Sequence, residues 1–410
     1  MKKAMNIVLI TVDAWRADFT SSHEGTPLMT ALENYRDSLV TFKQAYANAP
    51  WTSPALLSVF TGESPVTHGV HYEWSSPRRS SPGLARQLQR KGWRCPNLSY
   101  LNSLSNYHWV GYRPEETPVD GSDDRLLEAL RSNTEAPSFL WFHYKHTHLP
   151  YWASRPYRET LKIDDQAIPP HLKESVCTGF VVPRQQFDLA PEDREWVRRL
   201  YAAGVLQMND WLTNLLELIY NGPSSENTIV VLTSDHGEEL LEHGHVGHAS
   251  TAHHATLFEE VLRIPLFVID PRRSTPLEVE HRVQGLDLFP TILGLAGEKQ
   301  EGCQGLDLSG LIEDQLDAGV VEKLQSERCF IFHSARMGCP TPRTLAHHEV
   351  TGISDGRYKL VSQQYDKKQL FLYDLVNDPG ENQPLTHEPA LTETWNRRLI
   401  EACIRLRFSQ

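Results

Sequence analysis

The sequence lacks the features that mark a membrane protein, a zinc–cysteine protein or a general nucleic-acid-binding protein. No apolar run approaches the about 20 residues that a membrane-spanning helix needs. The 6 cysteines are scattered and form no CxxC pair, so a zinc–cysteine site is disfavoured and free thiols are the default. The net charge of −12 argues against a nucleic-acid or anionic-membrane surface. A phosphate-type substrate would therefore need local help from a cation.

The sequence also has no internal repeat and no low-complexity segment, and its composition is that of a globular protein. Its 410 residues are 40% apolar and 22% charged, which suits one large core with a smaller unit. Residues 1–10 superficially resemble a signal peptide. Their apolar run is too short, however, and ends at Val12-Asp13 without a small-residue cleavage site. We interpret this run as the buried first strand of a cytoplasmic protein.

Short apolar segments rich in β-branched residues alternate with helical segments. This pattern is typical of a mainly parallel sheet that is covered on both faces. The predicted strands are 7–12, 94–100, 139–144, 228–233 and 265–269, and the predicted helices are 82–90, 191–220 and 286–295. Residues 155–188 are predicted to be irregular and to pass over the surface near the site.

The pattern changes from about residue 326. Residues 352–362 and 369–374 are predicted to form two antiparallel strands, joined by the polar turn 363–368. An amphipathic helix from residue 390 to about 405 follows. The sequence therefore predicts a large α/β domain over residues 1–325 and a small C-terminal α+β subdomain over residues 326–410.

Thr52 lies immediately before a helix that begins with a proline. Pro54 has a φ suited to a first helical turn, and it lacks an N–H that would be unused there. A helix that begins at Thr52 directs its free N–H groups and its positive dipole end towards whatever the hydroxyl attacks, which suits a tetrahedral anion. The alternative is that Thr52 is an ordinary helix N-cap.

Two acidic positions follow predicted strands: Asp13 after the first, and Asp235, with His236, after strand 228–233. In open α/β sheets, ligands bind beyond the carboxyl ends of strands, so these side chains and the Thr52 hydroxyl can converge there. Asp13, Thr52, Asp235 and His236 would then form an oxygen-rich metal site with one imidazole. A metal on the Thr52 hydroxyl would lower its pKa and create an alkoxide nucleophile. The alternative for Asp13 is that it caps a turn.

Histidine is concentrated between residues 236 and 254. Such a tract is more typical of metal or anion binding than of core packing. Its members are His236, His243, His245, His248, His253 and His254.

In their order along the chain, these motifs resemble the sulfatase branch of the alkaline phosphatase superfamily. Residues 6–18 are similar to its first metal strand, 52–62 to its nucleophile motif and 233–239 to its second metal motif. Segments 287–293 and 356–379 resemble the later signatures. The resemblance implies an alkaline-phosphatase-like fold, with a mostly parallel central sheet flanked by helices.

The same resemblance implies roles for two further histidines. Residues 143–151 are similar to the segment whose histidine contacts the substrate anion, which implies that role for His148. His248 occupies the place of a lysine or histidine that binds the anion and can protonate the leaving group.

Three departures from the family pattern affect the expected chemistry. Sulfate-ester hydrolases of the family carry a Cys or Ser that is oxidised to formylglycine, with Arg four residues later; this chain has Thr52 and Leu56. Threonine is a secondary alcohol and cannot give that aldehyde. Many calcium-dependent members have paired aspartates on the first strand, where this chain has Ala14 as the second residue. Their last ligand is an amide, which is replaced here by the imidazole of His236.

Fewer carboxylates and a nitrogen donor favour zinc or manganese over calcium. Two-metal relatives carry an Asp and a His four residues apart, and this sequence has no convincing counterpart. One metal is therefore expected, although a nitrogen-rich second site remains an open alternative, built from His146, His148, His253 and His254.

These observations predict a metal-dependent hydrolase or group transferase that acts on a phosphoester, phosphodiester or phosphonate ester. Thr52 would be the nucleophile and would form a covalent intermediate. The alternatives are a sulfate-ester or sulfamate hydrolase or transferase that works without formylglycine, and a non-catalytic binding protein on the same fold. The expected partner is a small-molecule phospho- or sulfo-ester, with no nucleic-acid or membrane surface.

Overall fold

The computed structural model of the chain describes residues 5–71, 75–78, 80–96, 136–178, 189–222, 224–248, 255–298, 302–314, 318–326, 328–335, 349–364 and 367–408. The strands, numbered along the chain, are β1 (Asn6–Val12), β2 (Ser22–His23), β3 (Thr26–Pro27), β4 (Leu39–Tyr46), β5 (Phe139–Tyr144), β6 (Thr228–Ser234), β7 (Glu239–Leu240), β8 (Val246–Gly247), β9 (Arg263–Ile269), β10 (Leu277–Gln284), β11 (Phe330–Ala335), β12 (Glu349–Ser354), β13 (Tyr358–Gln364) and β14 (Lys368–Asp374).

The helices are α1 (Thr52–Thr61), α2 (Pro65–His68), α3 (Leu84–Arg90), α4 (Arg155–Thr160), α5 (Pro170–Leu172), α6 (Arg194–Tyr220), α7 (Glu259–Leu262), α8 (Leu288–Leu295), α9 (Ser309–Ile312), α10 (Ala318–Gln325) and α11 (Pro389–Phe408). Short 3-10 turns lie at Ala17–Phe19, Glu33–Ser38, Pro191–Asp193, Ser225–Asn227 and Gly285–Asp287, and a π turn lies at Lys173–Cys177. Among the residues that the structure describes, no helix is long and apolar enough to cross a bilayer.

The central sheet has six strands in the order β10-β4-β9-β6-β1-β5. β6, β1 and β5 pair in parallel, as do β10 and β4, whereas β9 is antiparallel to both of its neighbours. All strands except β9 therefore run in one direction, which confirms the predicted mostly parallel sheet. β9 runs the other way because it begins at the end of the sheet where β6 finishes. Thr233, near the end of β6, pairs with Leu266, near the start of β9.

β1 shows why helices cover both faces of this sheet. Val8, Ile10 and Val12 pack with residues of α6, whereas Ile7 and Leu9 pack with residues of α1 and α8. Successive side chains of a strand point to opposite faces, so an all-apolar strand needs a cover on each side. Burial of each such Val, Leu or Ile side chain contributes roughly 1.5–3 kcal/mol. This packing fixes the carboxyl ends of the strands, where the polar side chains lie.

A second, antiparallel sheet in the order β11-β12-β13-β14 follows, with α11 packed against it. This sheet also contacts the central one. Phe330 and Phe332 share a buried cluster with Tyr46 and Trp51, and Trp51 Nε1 donates to Ser334 Oγ at 2.9 Å. The predicted C-terminal unit of a small sheet and a helix is therefore present, while the boundary between residues 325 and 326 stays a prediction.

The predicted single strand 352–362 is wrong, because the segment is a hairpin. β12 ends at Ser354 and β13 begins at Tyr358, with Gly356 at a φ of 99° between them. Asp355 Oδ1 accepts the N–H groups of Arg357 and Tyr358. Asp-Gly is a strong turn signal, and it should have divided the predicted strand.

Two other predicted segments also differ. In the predicted strand 94–100, Arg94 forms only an isolated bridge with Ser138, and residues 97–100 lie outside the described part of the chain. Residues 155–178 are irregular only in part, because they include α4, α5 and the π turn, joined by turns over residues 161–169; Pro156 and Pro170 lie in the first turns of the two helices. Residues 179–188 and 365–366 lie outside the described residues.

Sequence patterns also missed β4, β10 and β11. β10 is an edge strand of the central sheet, and its sequence LEVEHRVQ carries exposed charged side chains at Glu278 and Glu280. Polar residues are common on sheet edges, where they discourage pairing with other chains. The apolar alternation of β10 is weak for this reason.

Candidate active site

Two buried aspartates lie at the same edge of the central sheet. Asp13 follows β1 and Asp235 follows β6, and the parallel register places Val12 opposite Ser234, so the chain leaves both strands at the same level. Asp13 N donates to Tyr144 O at 2.7 Å, and Asp235 N donates to Val12 O at 3.3 Å. The two residues are 5% and 2% exposed, so water does not solvate their carboxylates.

His236 brings an imidazole to the same point. Its Nδ1 lies 2.7 Å from Gly237 O. A carbonyl oxygen only accepts, so Nδ1 carries the hydrogen and Nε2 presents a lone pair. Nε2 lies 3.5 Å from Asp13 Oδ1, 3.5 Å from Asp235 Oδ2 and 3.3 Å from Thr52 Oγ1. A lone pair thus faces two carboxylates and a hydroxyl.

Two oxygens in this group are unsatisfied. Asp235 Oδ1 accepts from Ala14 N at 3.1 Å and His236 N at 2.8 Å, but neither Asp235 Oδ2 nor Asp13 Oδ1 has a hydrogen-bond partner among the described residues. A buried polar atom left in this state costs about 1–3 kcal/mol, and more when it is charged. A divalent cation would satisfy both oxygens together with the nitrogen lone pair.

The spacing of these atoms also fits a cation. Ligands held at about 2.0–2.1 Å from a tetrahedral zinc ion lie roughly 3.3–3.4 Å from each other. The separations around His236 Nε2 are 3.3–3.5 Å. Asp13, Thr52, Asp235 and His236 are therefore suited in chemistry and geometry to hold one divalent ion.

Thr52 reaches this group as the first residue of α1. Trp51 occupies the N-cap position and makes no side-chain cap bond, so the alternative of Thr52 as an ordinary N-cap does not hold. Residues 53–61 of the helix are all buried, whereas Thr52 is partly exposed at the mouth of the site. Trp51, held by Ser334, sets the position from which the helix begins.

Two further histidines extend the group on one side. His248 Nδ1 lies 2.7 Å from Glu238 Oε1, and the His248 ring centroid lies 4.3 Å from that of His236. The His148 ring centroid is 4.8 Å from that of His248, and His148 Nδ1 lies 2.5 Å from Leu149 O. The three rings form a continuous row beside the aspartates.

The electrostatics of the site reflect crowded, buried charges. Burial would raise the pKa of Asp13, but the positive charge of His148, with the neighbouring imidazoles of His143 and His236, outweighs it and lowers that pKa. Burial raises the pKa of Asp235, and the negative charge of Asp13 adds to the rise. Neighbouring carboxylates thus diverge in pKa, as like charges in a shared low-dielectric site do.

The pKa values of the histidines in this row also differ from each other. Burial would lower the pKa of His148, but the carboxylates of Asp13 and Glu238 raise it overall. Burial, with the charge of His148, lowers the pKa of His248 to about 3. Burial also raises the pKa of Glu238 to about 7. A cationic His148 next to a neutral His248 is the arrangement that these shifts favour.

The histidine tract does not act as one unit. His243 stacks on Phe258 with ring centroids 3.6 Å apart, and its Nε2 lies 3.7 Å from Glu260 Oε2. His146 is exposed and contacts Tyr144, while His253 and His254 lie outside the described residues. The second metal site, for which the sequence offered His146, His148, His253 and His254, therefore stays a prediction.

Sequence reasoning missed two residues of the group, His143 and Glu238. His143 lies on β5, and its ligand atom is within 4.8 Å of those of Asp13 and Asp235. Glu238 contacts His248 as described above. The sequence of β5, FLWFHY, did contain one indication of His143, because an imidazole inside an otherwise apolar, buried strand needs a polar partner.

Comparisons with known proteins agree with this architecture. Residues 5–298 match the family model described as Sulfatase, and residues 252–407 match the one described as N-sulphoglucosamine sulphohydrolase, C-terminal. The first match covers well over half of the chain. The protein belongs to the sulfatase family of the alkaline phosphatase superfamily.

Individual relatives are distant. A sulfatase of Formosa agariphila is 27% identical over 205 residues, which are 47% of this chain and 39% of that protein. The multifunctional alkaline phosphatase superfamily protein PehA of Trinickia caryophylli is 25% identical over 312 residues, 68% of this chain and 58% of PehA. The matched region is thus less than two thirds of either relative.

A solved structure covers the chain more fully. The phosphonate monoester hydrolase of Agrobacterium radiobacter has a TM-score of 0.76 and 18% identity, over 98% of this chain and 96% of its own. At this identity the likeness shows a common fold.

Proposed function

We propose that the protein is a metal-dependent hydrolase or group transferase that acts on a phosphoester, phosphodiester or phosphonate ester, with Thr52 as its nucleophile. The observation that carries the proposal is the position of Thr52 Oγ1. It lies 3.3 Å from the lone pair of His236 Nε2, beside unsatisfied carboxylate oxygens of Asp13 and Asp235. A threonine hydroxyl needs this kind of setting to act as a nucleophile near neutral pH.

In this proposal Asp13, Asp235, His236 and Thr52 hold a divalent ion. When bound, the ion would lower the pKa of the Thr52 hydroxyl and offset charge on the oxygens of the substrate. Because two carboxylates and one imidazole form the donor set, zinc or manganese fits better than calcium, which prefers more oxygen ligands.

The protein side chains perform the rest of the reaction. Thr52 Oγ1 gives up its proton to solvent and forms a bond to phosphorus while the bond to the leaving-group oxygen breaks in line with it, and that oxygen takes up a proton. His148 and His248 bind the non-bridging oxygens. The resemblance gives the role of proton donor to His248, but burial keeps that ring neutral, so we propose the cationic ring of His148 as the donor. Water, or a second acceptor, then attacks phosphorus and releases Thr52.

Replacement of Thr52 tests the nucleophile. Thr52→Ala should lower turnover by at least about 1,000-fold with the fold intact, whereas Thr52→Ser keeps a hydroxyl and should retain part of the activity. Ser53→Ala, the neighbouring hydroxyl on α1, is the matched control. Acid quenching during turnover should leave a phosphoryl group on the peptide that contains Thr52. Full activity of Thr52→Ala would refute the assignment.

A second candidate is hydrolysis or transfer of a sulfate ester or sulfamate by the same threonine. The match of residues 252–407 to the N-sulphoglucosamine sulphohydrolase C-terminal model favours it. Parallel assays with nitrophenyl phosphate, a nitrophenyl phosphodiester, a phosphonate monoester and nitrophenyl sulfate separate the two candidates. A preference for the sulfate would overturn the phosphorus assignment.

The remaining alternative is a non-catalytic binding protein on the same fold. The presence of the complete set Asp13, Thr52, Asp235 and His236 argues against it, because a decayed site would be expected to lose a ligand. Failure of the purified protein to bind any divalent metal would support this alternative.

A further inference from the structure

The metal group has one carboxylate fewer than the paired-aspartate pattern of the family. Ala14 stands at the second aspartate position and contributes only its backbone to the site. Its N–H donates to Asp235 Oδ1 at 3.1 Å, and its carbonyl accepts from Tyr201 Oη at 2.7 Å. Any replacement for the second carboxylate of the family pattern must therefore come from another element of the fold.

His143 reaches Asp13 from the other neighbour of β1. The register of β1 and β5 pairs Thr11 with His143, so the His143 side chain lies on the face of the sheet edge that carries Asp13. The ring is 0% exposed, and its Nε2 lies 3.3 Å from Asp13 Oδ2. The other oxygen of this carboxylate, Oδ1, faces His236 Nε2 at 3.5 Å. Asp13 is thus flanked by two imidazole nitrogens.

Hydrogen bonds on the far side of the ring orient it. Thr11 Oγ1 accepts from Trp141 Nε1 at 3.0 Å and lies 3.1 Å from Phe142 O and 2.7 Å from His143 Nδ1. A hydroxyl has one hydrogen, and when it goes to the Phe142 carbonyl, His143 Nδ1 must be the donor to Thr11. Nε2 then directs a lone pair at the aspartates. A metal-binding histidine usually has its second nitrogen held in this way.

We infer that His143 is a ligand of the metal centre through Nε2, in the place that Ala14 leaves open. The inference rests on the metal centre of the proposed function. The centre would then have five ligands, and the 3.3 Å between His143 Nε2 and Asp13 Oδ2 is short enough for both atoms to bind one ion. The inference is supported too by the approach of the His143 ligand atom to within 4.8 Å of that of Asp235. The competing role is positional, with Nε2–H donating to Asp13.

Metal affinity alone does not separate these roles, because loss of a group that orients a ligand also weakens binding, by about 10–100-fold. The number of coordinated imidazoles does separate them. In cobalt(II)-substituted protein, each ligating histidine gives one strongly shifted, exchangeable ring N–H signal in the proton NMR spectrum. We expect two such signals in the wild type and one equivalent of cobalt.

The variant His143→Gln should lose one of the two signals, because its amide can donate to Asp13 but has no imidazole. His146→Gln is the matched control: it removes an exposed imidazole from the same segment and should keep both signals. One signal in the wild type, two signals in His143→Gln, or two equivalents of cobalt would each overturn the inference. Should the buried substitution prevent folding, the wild-type count decides.

The outcome also distinguishes this inference from the proposed function. One signal in a protein that still binds cobalt and turns over substrate overturns the role of His143 alone. Absence of any bound cobalt overturns both.

Discussion

A bound metal should stabilise the folded wild type. Removal of one of two buried carboxylate charges should instead stabilise the metal-free protein. The ligand atoms of Asp13 and Asp235 lie within 4.8 Å of each other, and both side chains are buried. At that distance and an effective dielectric constant of about 20, two like charges repel by roughly 3.5 kcal/mol. A bound cation removes this repulsion, so the metal-free wild type carries a penalty that the metal-bound form does not.

Asp235→Asn keeps Oδ1 as the acceptor for the backbone N–H groups of Ala14 and His236 but removes one charge. The metal-free variant should therefore be more stable than the metal-free wild type, by about 2–3 kcal/mol. The variant should also gain less stability from added metal than the wild type does, because it has lost one carboxylate charge. The wild type, in contrast, should gain about 4 kcal/mol when free metal is 1,000-fold above its dissociation constant.

Calorimetry with and without a chelator measures both effects. For a chain of 410 residues, a gain of about 4 kcal/mol corresponds to a rise in Tm of about 5 °C. Asp18→Asn, which changes an aspartate that is 51% exposed, is the control and should respond to metal like the wild type. The reasoning fails if the chelator leaves the wild-type Tm unchanged, or if metal stabilises Asp235→Asn as much as the wild type.

Two predictions concern buried charges outside the metal group. Burial raises the pKa of Glu239 to about 8, against a hydrogen bond from Thr256, so its stabilising contribution is complete below pH 4.5 and is lost as the pH rises through 8. Between pH 4.5 and pH 8, the free energy of unfolding measured with urea should therefore fall by about 3–5 kcal/mol less in Glu239→Gln than in the wild type. An equal fall in both proteins would contradict this expectation. The Lys359 ammonium is fully buried, 2.9 Å from Glu259 Oε1 and 2.7 Å from Glu381 Oε1. Lys359→Met should destabilise the protein by about 3–5 kcal/mol, and the triple variant K359M/E259Q/E381Q should recover most of this loss; a loss below about 1 kcal/mol in the single variant would count against the argument.

The fold class was predictable because periodicity is a local property. β5 (Phe139–Tyr144) and β6 (Thr228–Ser234) are short apolar runs whose bounds agree with the prediction within one residue. Strand order is not local. Nothing in the sequence of β9 tells it apart from a parallel strand, and its reversed direction is evident only from its antiparallel pairing with β6.

The convergence of Asp13, Thr52, Asp235 and His236 was predictable for a related reason. Each residue lies directly after a strand or at a strand-to-helix turn, and a general rule places such positions at one edge of a sheet. The structure brings the four together, with 3.3–3.5 Å between His236 Nε2 and its three neighbours. Their roles stay predictions that the experiments above address.

His143 escaped the same reasoning because its place in the site depends on register. It lies within β5 rather than after it, and β5 is far from β1 in the chain. Only the pairing of Thr11 with His143 carries the ring to Asp13, two residues beyond Thr11 on the same face. A shift of the register by one residue would turn His143 to the other face of the sheet, among apolar side chains. Burial of the imidazole there without the hydrogen bond to Thr11 would be unfavourable. The polar contacts that set this strand register are therefore the same contacts that complete the proposed metal centre.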